Sequence, residues 1–126
     1  METIPRFSFA GVYPNVPIHK VIDGDTVQIC LPFAEPPTCK TIKPFLFNVR
    51  LKGINCPETR TKNEAEKAKG LAAKEFTMKL LSGKRVAFDC CGQDKYGRLL
   101  GRLSLDGKDV STLILDAGHA VRFMDE

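Results

Sequence analysis

No stretch of this chain approaches the ~18 consecutive apolar residues that a membrane helix requires, which excludes a membrane span. The first 17 residues lack the basic start and apolar centre of a signal peptide, so secretion is unsupported. Five cysteines, Cys30, Cys39, Cys56, Cys90 and Cys91, form no CxxC pair, and there are only two histidines, His19 and His119. That argues against structural zinc. An odd number of thiols leaves at least one unpaired, which fits a reducing compartment and a cytoplasmic protein, with a single bridge such as Cys30 to Cys39 left open. There is no internal repeat and no low-complexity segment. Proline is absent after Pro57, so the second half of the chain is free to form regular structure.

The chain has 126 residues, 43% apolar and 27% charged, values that suit one self-sufficient globular domain spanning 1–126. Its net charge of +4 is unevenly placed. Between Arg50 and Arg102 lie 13 basic and 6 acidic residues, whereas the remainder holds 6 basic and 9 acidic. Such a cationic block attracts polyanions, nucleic acid above all. A solvated helix face carrying Lys62, Lys67, Lys69, Lys74 and Lys79 explains the same block without any ligand.

Residues 1–17 contain three prolines and no clear period, and read as an arm before the first strand. Period-two alternation marks five strands: Ile18 to Ile22, then segments carrying Val27, Ile29 and Leu31, then Phe45, Phe47, Val49 and Leu51, then Val86 and Phe88, then Leu99, Gly101, Leu103 and Leu105. The Asp23-Gly24 step signals a hairpin between the first two. Pro32 to Pro44 reads as a long hairpin loop or as ragged strand tips. A helix is predicted from Asn63 to Leu81, with Ala65, Ala68, Ala72, Phe76 and Leu80 on its apolar face. Asn63 is its cap, Glu66 completes a capping box, Gly70 is a mild weakness and Ser82-Gly83 is the stop. A shorter helix follows Asp109, with Val110, Leu113, Ile114 and Ala117 at helical spacing and Gly118 as its stop. The pattern predicts an α+β, mainly β domain: a five-stranded barrel of the oligonucleotide-binding type, with a helix between strands 3 and 4 and a short C-terminal helix.

Three clusters can carry chemistry. Asp23-Gly24-Asp25-Thr26 sets two carboxylates and a hydroxyl around a tight turn, suited to a hard cation, though an Asp-Gly hairpin turn needs no ligand to explain it. In Arg50-Leu51-Lys52-Gly53-Ile54-Asn55-Cys56-Pro57-Glu58-Thr59, alternation displays Arg50 on the face opposite Val49 and Leu51, and Pro57 stiffens the turn that carries Asn55, Cys56 and Glu58. An ordinary strand exit with an exposed acid is the plainer account. Asp94-Lys95-Tyr96-Gly97-Arg98 flanks an aromatic ring with two cations. Arg98 offers a planar fork to phosphate oxygens and Tyr96 a ring and hydroxyl to a nucleotide. Alone, this too reads as a polar hairpin turn.

Together and in this order, Val21-Ile22-Asp23-Gly24-Asp25-Thr26-Val27, the Arg50 to Thr59 segment and Lys95-Tyr96-Gly97-Arg98 resemble the staphylococcal nuclease (thermonuclease) family, from about Ile18 to about Val121. The resemblance implies a calcium-dependent, or other divalent-cation-dependent, endonuclease acting on DNA, RNA or both. The substrate would be single-stranded or flexible and the protein a monomer. It also implies that Asp25 is a metal ligand, that Glu58 acts on the attacking water, that Arg50 and Arg98 hold the phosphate, and that Lys95 and Tyr96 touch the substrate. A phosphorane-like transition state gains charge on its oxygens, which guanidinium forks and a cation can stabilise.

The match departs at Asn55, where the family usually has a second calcium-binding aspartate. Weaker metal binding is expected, with the Asn55 amide and the Cys56 main-chain carbonyl beside Asp25. Other departures are the Pro32 to Pro44 insertion, a short link between Glu58 and the helix, Phe123 near where the family places tyrosines, and an end before its last helix. A noncatalytic barrel that binds nucleic acid through its cationic block, and a protein-interaction module on the same fold, are the competing readings.

Overall fold

A computed structural model of the chain describes residues 8–34 and 41–123. The elements follow the order β1 (Gly11–Asp23), β2 (Thr26–Ala34), β3 (Ile42–Leu51), β4 (Ile54–Asn55), α1 (Glu64–Leu81), β5 (Arg85–Gln93), β6 (Leu99–Leu105), β7 (Lys108–Asp109), α2 (Val110–Asp116) and β8 (Val121–Arg122). Long strands pair in the order β3-β2-β1-β5-β6, and a parallel seam of Val49 with Leu99, Arg50 with Leu100 and Leu51 with Gly101 returns β6 to β3. The sheet is thus a closed five-stranded barrel.

Alternation fills the barrel as the sequence requires. Val27, Ile29, Val49, Leu51, Phe88 and Leu103 are all 0% exposed, and Leu81 of α1 and Ile114 of α2 close the core equally completely. Burying a side chain of this size contributes about 1.5–3 kcal/mol. No helix among the described residues is long and apolar enough to cross a membrane.

Two expectations need correction and a third is narrowed. The first strand starts at Gly11 rather than Ile18, because its first half pairs with β5 and its second half with β2. Pro14 is tolerated there since it falls in a register break between Tyr13 and Val16. Of the two readings of Pro32 to Pro44, the described ends support strand tips, with Pro32 opposite Pro44 and Ala34 opposite Ile42. A bridge to Cys39 lies outside the described residues. Finally, α1 buries Gly70, Ala73, Thr77 and Leu81 and leaves Ala65, Ala68 and Ala72 exposed. Where Gly70 and Thr77 sit, the helix rests on the main chain of Pro57, Glu58 and Gly24, so small side chains face it there, while Phe76 and Leu80 of the expected face pack against the core.

The caps follow the sequence. Asn63 Oδ1 accepts the Glu66 amide at 3.0 Å, Asp109 Oδ2 accepts the Thr112 amide at 3.2 Å, and Gly118 stops α2 at a φ of 81°.

Candidate active site

The Asp23–Thr26 turn is stitched to two other segments. Thr77 Oγ1 donates to the Gly24 carbonyl at 2.8 Å, and Leu51 N donates to the Asp25 carbonyl at 2.8 Å. Gly24 permits this approach, since a Cβ there would come within 2.9 Å of both Ala73 Cβ and Cys56 Sγ. The two carboxylates then diverge. Asp23 Oδ1 accepts the Thr59 hydroxyl at 2.6 Å, while Asp25, only 7% exposed, accepts the Cys56 amide on Oδ2 at 2.8 Å and the Thr26 hydroxyl on Oδ1 at 3.3 Å.

Arg50 stands on the face opposite Val49 and Leu51, but it is not displayed as the alternation predicted. Its side chain is 14% exposed and bound on several sides. One terminal nitrogen donates to the Leu51 carbonyl at 2.7 Å and lies 3.5 Å from Asp25 Oδ2. The other donates to Asn55 Oδ1 at 3.3 Å. Phe123 covers it, with its ring centroid 5.9 Å from the guanidinium carbon. The covering group directly follows β8, which pairs Arg122 with Ile54 and Val121 with Asn55, while Phe123 N donates to the Gly53 carbonyl at 3.0 Å. Two-residue strands carry no period, so the contact of Phe123 with Arg50 is not legible from the residues alone.

Asn55 and Cys56 are thus drawn to Asp25 and Arg50. Burial, with the Asp25 carboxylate adding to it, pushes the Cys56 thiol up to about 12, so it is a neutral filler while its main chain serves the site. Glu58 is exposed, and among the described residues its carboxylate has no hydrogen bond or ion pair. Its main chain is fixed instead: Gly70 of α1 lies so close that a Cβ would overlap the Glu58 carbonyl and reach 2.9 Å from that of Pro57. Gly70, read from the sequence as a weakness, is the contact that seats the Glu58 loop. Glycine inside an otherwise good helix is the one hint of this that the sequence offers.

Arg98 belongs to a separate constellation at the β5–β6 turn. Asp94 Oδ1 accepts the amides of Tyr96 at 2.8 Å and Arg98 at 3.0 Å, and Oδ2 accepts Arg98 Nε at 2.7 Å. Burial works to raise the Asp94 pKa, but these amides and the guanidinium outweigh it and hold the carboxyl below its ordinary range. Only Nε of Arg98 is spent, leaving its terminal nitrogens unclaimed among the described residues. Tyr96, 71% exposed, lies with Lys95 Nζ 5.3 Å and Arg98 Cζ 5.6 Å from its ring centroid. The barrel seam places this turn beside the Arg50 strand, since Leu99 pairs with Val49. No contact among the described residues joins Arg98 directly to Arg50, Asp25 or Glu58.

The donors suit one kind of metal. Among the described residues no three His, Cys, Asp or Glu side chains cluster to hold a cation. The Asp25 carboxylate and the Asn55 amide oxygen nevertheless converge on the same guanidinium. An all-oxygen set with a single negative charge fits calcium with a shell completed from outside the protein, and does not fit a soft transition metal.

Residues 48–126 match the family model described as Staphylococcal nuclease homologue. The chain is 36% identical over 105 residues to a thermonuclease of Staphylococcus intermedius, covering 82% of this chain and 56% of that protein. It is 32% identical over 114 residues to the endonuclease YncB of Bacillus subtilis strain 168, covering 84% and 46%. With the SPbeta prophage-derived endonuclease YokF of the same strain, identity is 32% over 109 residues, covering 84% and 33%. The chain therefore spans between a third and just over half of the length of these curated relatives. With its closed five-stranded barrel and the Asp25, Arg50, Glu58 and Arg98 motifs in order, the chain belongs to the staphylococcal nuclease family.

Proposed function

We infer that this chain hydrolyses phosphodiester bonds of DNA, RNA or both as a metal-assisted endonuclease acting on single-stranded or flexible substrate. The observation that carries the reading is the convergence on Arg50 of Asp25 and Asn55, with the Cys56 amide on the same Asp25 carboxylate. Asp25, Asn55 and the Cys56 carbonyl would hold calcium, or another divalent cation, which when bound supplies positive charge to a phosphate oxygen.

The chain's own groups do the rest. Glu58, exposed and with no hydrogen bond or ion pair among the described residues, takes a proton from the attacking water as general base. Arg98, oriented through Nε by Asp94, presents its terminal nitrogens to phosphate oxygens as a fork. Arg50 acts from the other side through the N–H groups left over from Leu51, Asp25 and Asn55, and Tyr96 and Lys95 bear on the neighbouring nucleotide. The test is digestion of heat-denatured and duplex DNA and of RNA, with calcium or with chelator. Cleavage that requires the metal and favours denatured DNA supports the reading.

The single carboxylate at the cation position favours a second reading, a barrel that binds nucleic acid without cutting it. Salt-sensitive binding with no cleavage in any divalent ion would establish that instead.

A further inference from the structure

Beyond the phosphate-binding groups, a cleft of about 570 Å³ opens between the first two turns of α1 and the segment after α2. Its size falls within the range of small-ligand sites. One wall is the Asn55-Cys56-Pro57 segment, so the cleft and the candidate site share the same main chain. Ala65, Pro57 and Val121 give it apolar surface, Asn63 and Glu66 line its α1 side, and it also holds two polar side chains with no hydrogen bond or ion pair among the described residues, Lys69 from α1 and His119 from the segment after Gly118.

Neither polar group is explained by the fold. Lys69 is exposed and has no ion pair or hydrogen bond among the described residues. His119 is half-buried and is held by a ring contact with Phe76, centroids 4.9 Å apart and planes 36° inclined. Its ring nitrogens have no partner among the described residues. A fixed imidazole edge, an apolar wall and an unpaired ammonium within one cleft match the three parts of a nucleotide: an edge that hydrogen-bonds, a flat apolar face and a phosphate.

We propose that this cleft binds the nucleotide unit adjoining the scissile phosphate, with the base against Pro57 and Val121 and within reach of His119, and Lys69 on the next phosphate. The assignment rests on the phosphodiesterase reading for its place on the substrate. It makes the cleft, rather than a base-reading helix, the part of the molecule that sets where a strand is cut.

The test is an NMR titration with a thymidine tetranucleotide in EDTA, so that binding is read without cleavage, on the wild type, Ala65→Trp and Lys69→Ala. Ala65 is exposed in the first turn of α1, so a larger side chain there fills the cleft without entering the core. The expected result is displaced amide signals at Ala65, Lys69, His119 and Ala120. Ala65→Trp should weaken binding about 5- to 100-fold, the range for one stacked base, and Lys69→Ala should reduce the slope of log affinity against log salt by about 0.7. Signals displaced only at Arg50 and from Asp94 to Arg98, with Ala65→Trp binding as the wild type does, would overturn the proposal. Cleft binding by a protein that cleaves nothing in calcium would leave the cleft assignment standing and remove the nuclease reading. Cleavage with an undisturbed cleft would do the reverse.

Discussion

Gly70 of α1 abuts the main-chain carbonyl of Glu58, close enough that a single added methyl group would overlap it. Intrinsic propensity makes alanine better than glycine inside a helix by about 1 kcal/mol. Here the contact reverses that preference. Gly70→Ala should destabilise the fold by about 1–3 kcal/mol, as overpacking does, and should lower turnover by moving the loop that carries Glu58. Denaturant melts and a single-stranded DNA cleavage assay check this together. A more stable and fully active Gly70→Ala would contradict the seating role.

Asn55 puts a neutral amide oxygen where a carboxylate would add charge next to Asp25. Asn55→Asp should tighten calcium binding about tenfold or more, equivalent to about 1.4 kcal/mol. It should also hold Arg50 more firmly, since the guanidinium already reaches this side chain at 3.3 Å. Isothermal titration calorimetry with calcium chloride reads the first effect directly, and unchanged or weaker affinity would count against placing the cation here.

Asp94 orients Arg98, and its carboxyl titrates below the usual 3.8. The stability it contributes is therefore complete above about pH 3.8 and is lost as pH falls through the lowered folded value. Asp94→Asn should melt below the wild type at neutral pH, with the gap closing under acid. Turnover should fall because Arg98 loses its anchor on Nε. A melting gap that is constant from pH 7 to pH 2 would contradict the linkage.

Burial pushes the Cys56 thiol up to about 12 from 9.0, so its contribution to stability is complete below pH 9 and is lost as pH rises towards about 12. In the folded protein at pH 8 a disulfide reagent should label exposed Cys91 and spare Cys56 until denaturant is added. Mass spectrometry of the labelled peptides distinguishes the two positions, and equal labelling would show that the Cys56 loop opens readily.

The barrel was legible because its strands bury one face each. Alternation at Val27, Ile29 and Leu31 and at Val49 and Leu51 names core residues directly. Caps at Asn63 and Asp109 were legible for the same reason, that local chemistry decides them. Contacts between main chain and main chain were not. The helix face set by Gly70, Ala73 and Thr77 looks less apolar than the exposed Ala65, Ala68 and Ala72, so hydropathy misplaced the first half of the buried face, although Phe76 and Leu80 do pack against the core. Burial of Arg50 escaped for a related reason, since Phe123 reaches it through a two-residue strand about 70 positions away in the chain. Motif order picked out the candidate residues; their partners were visible only once the barrel had closed.

Glu58, exposed and with no hydrogen bond or ion pair among the described residues, is the proposed activator of the attacking water. Turnover of heat-denatured DNA in calcium should be measured for the wild type and Glu58→Gln alongside thermal melts of both. Glu58→Gln is expected to lose turnover about 10²- to 10⁴-fold, the usual value of a general base, with an unchanged melting temperature. Glu58→Gln that retains wild-type turnover, or that loses activity only in proportion to lost stability, would contradict it.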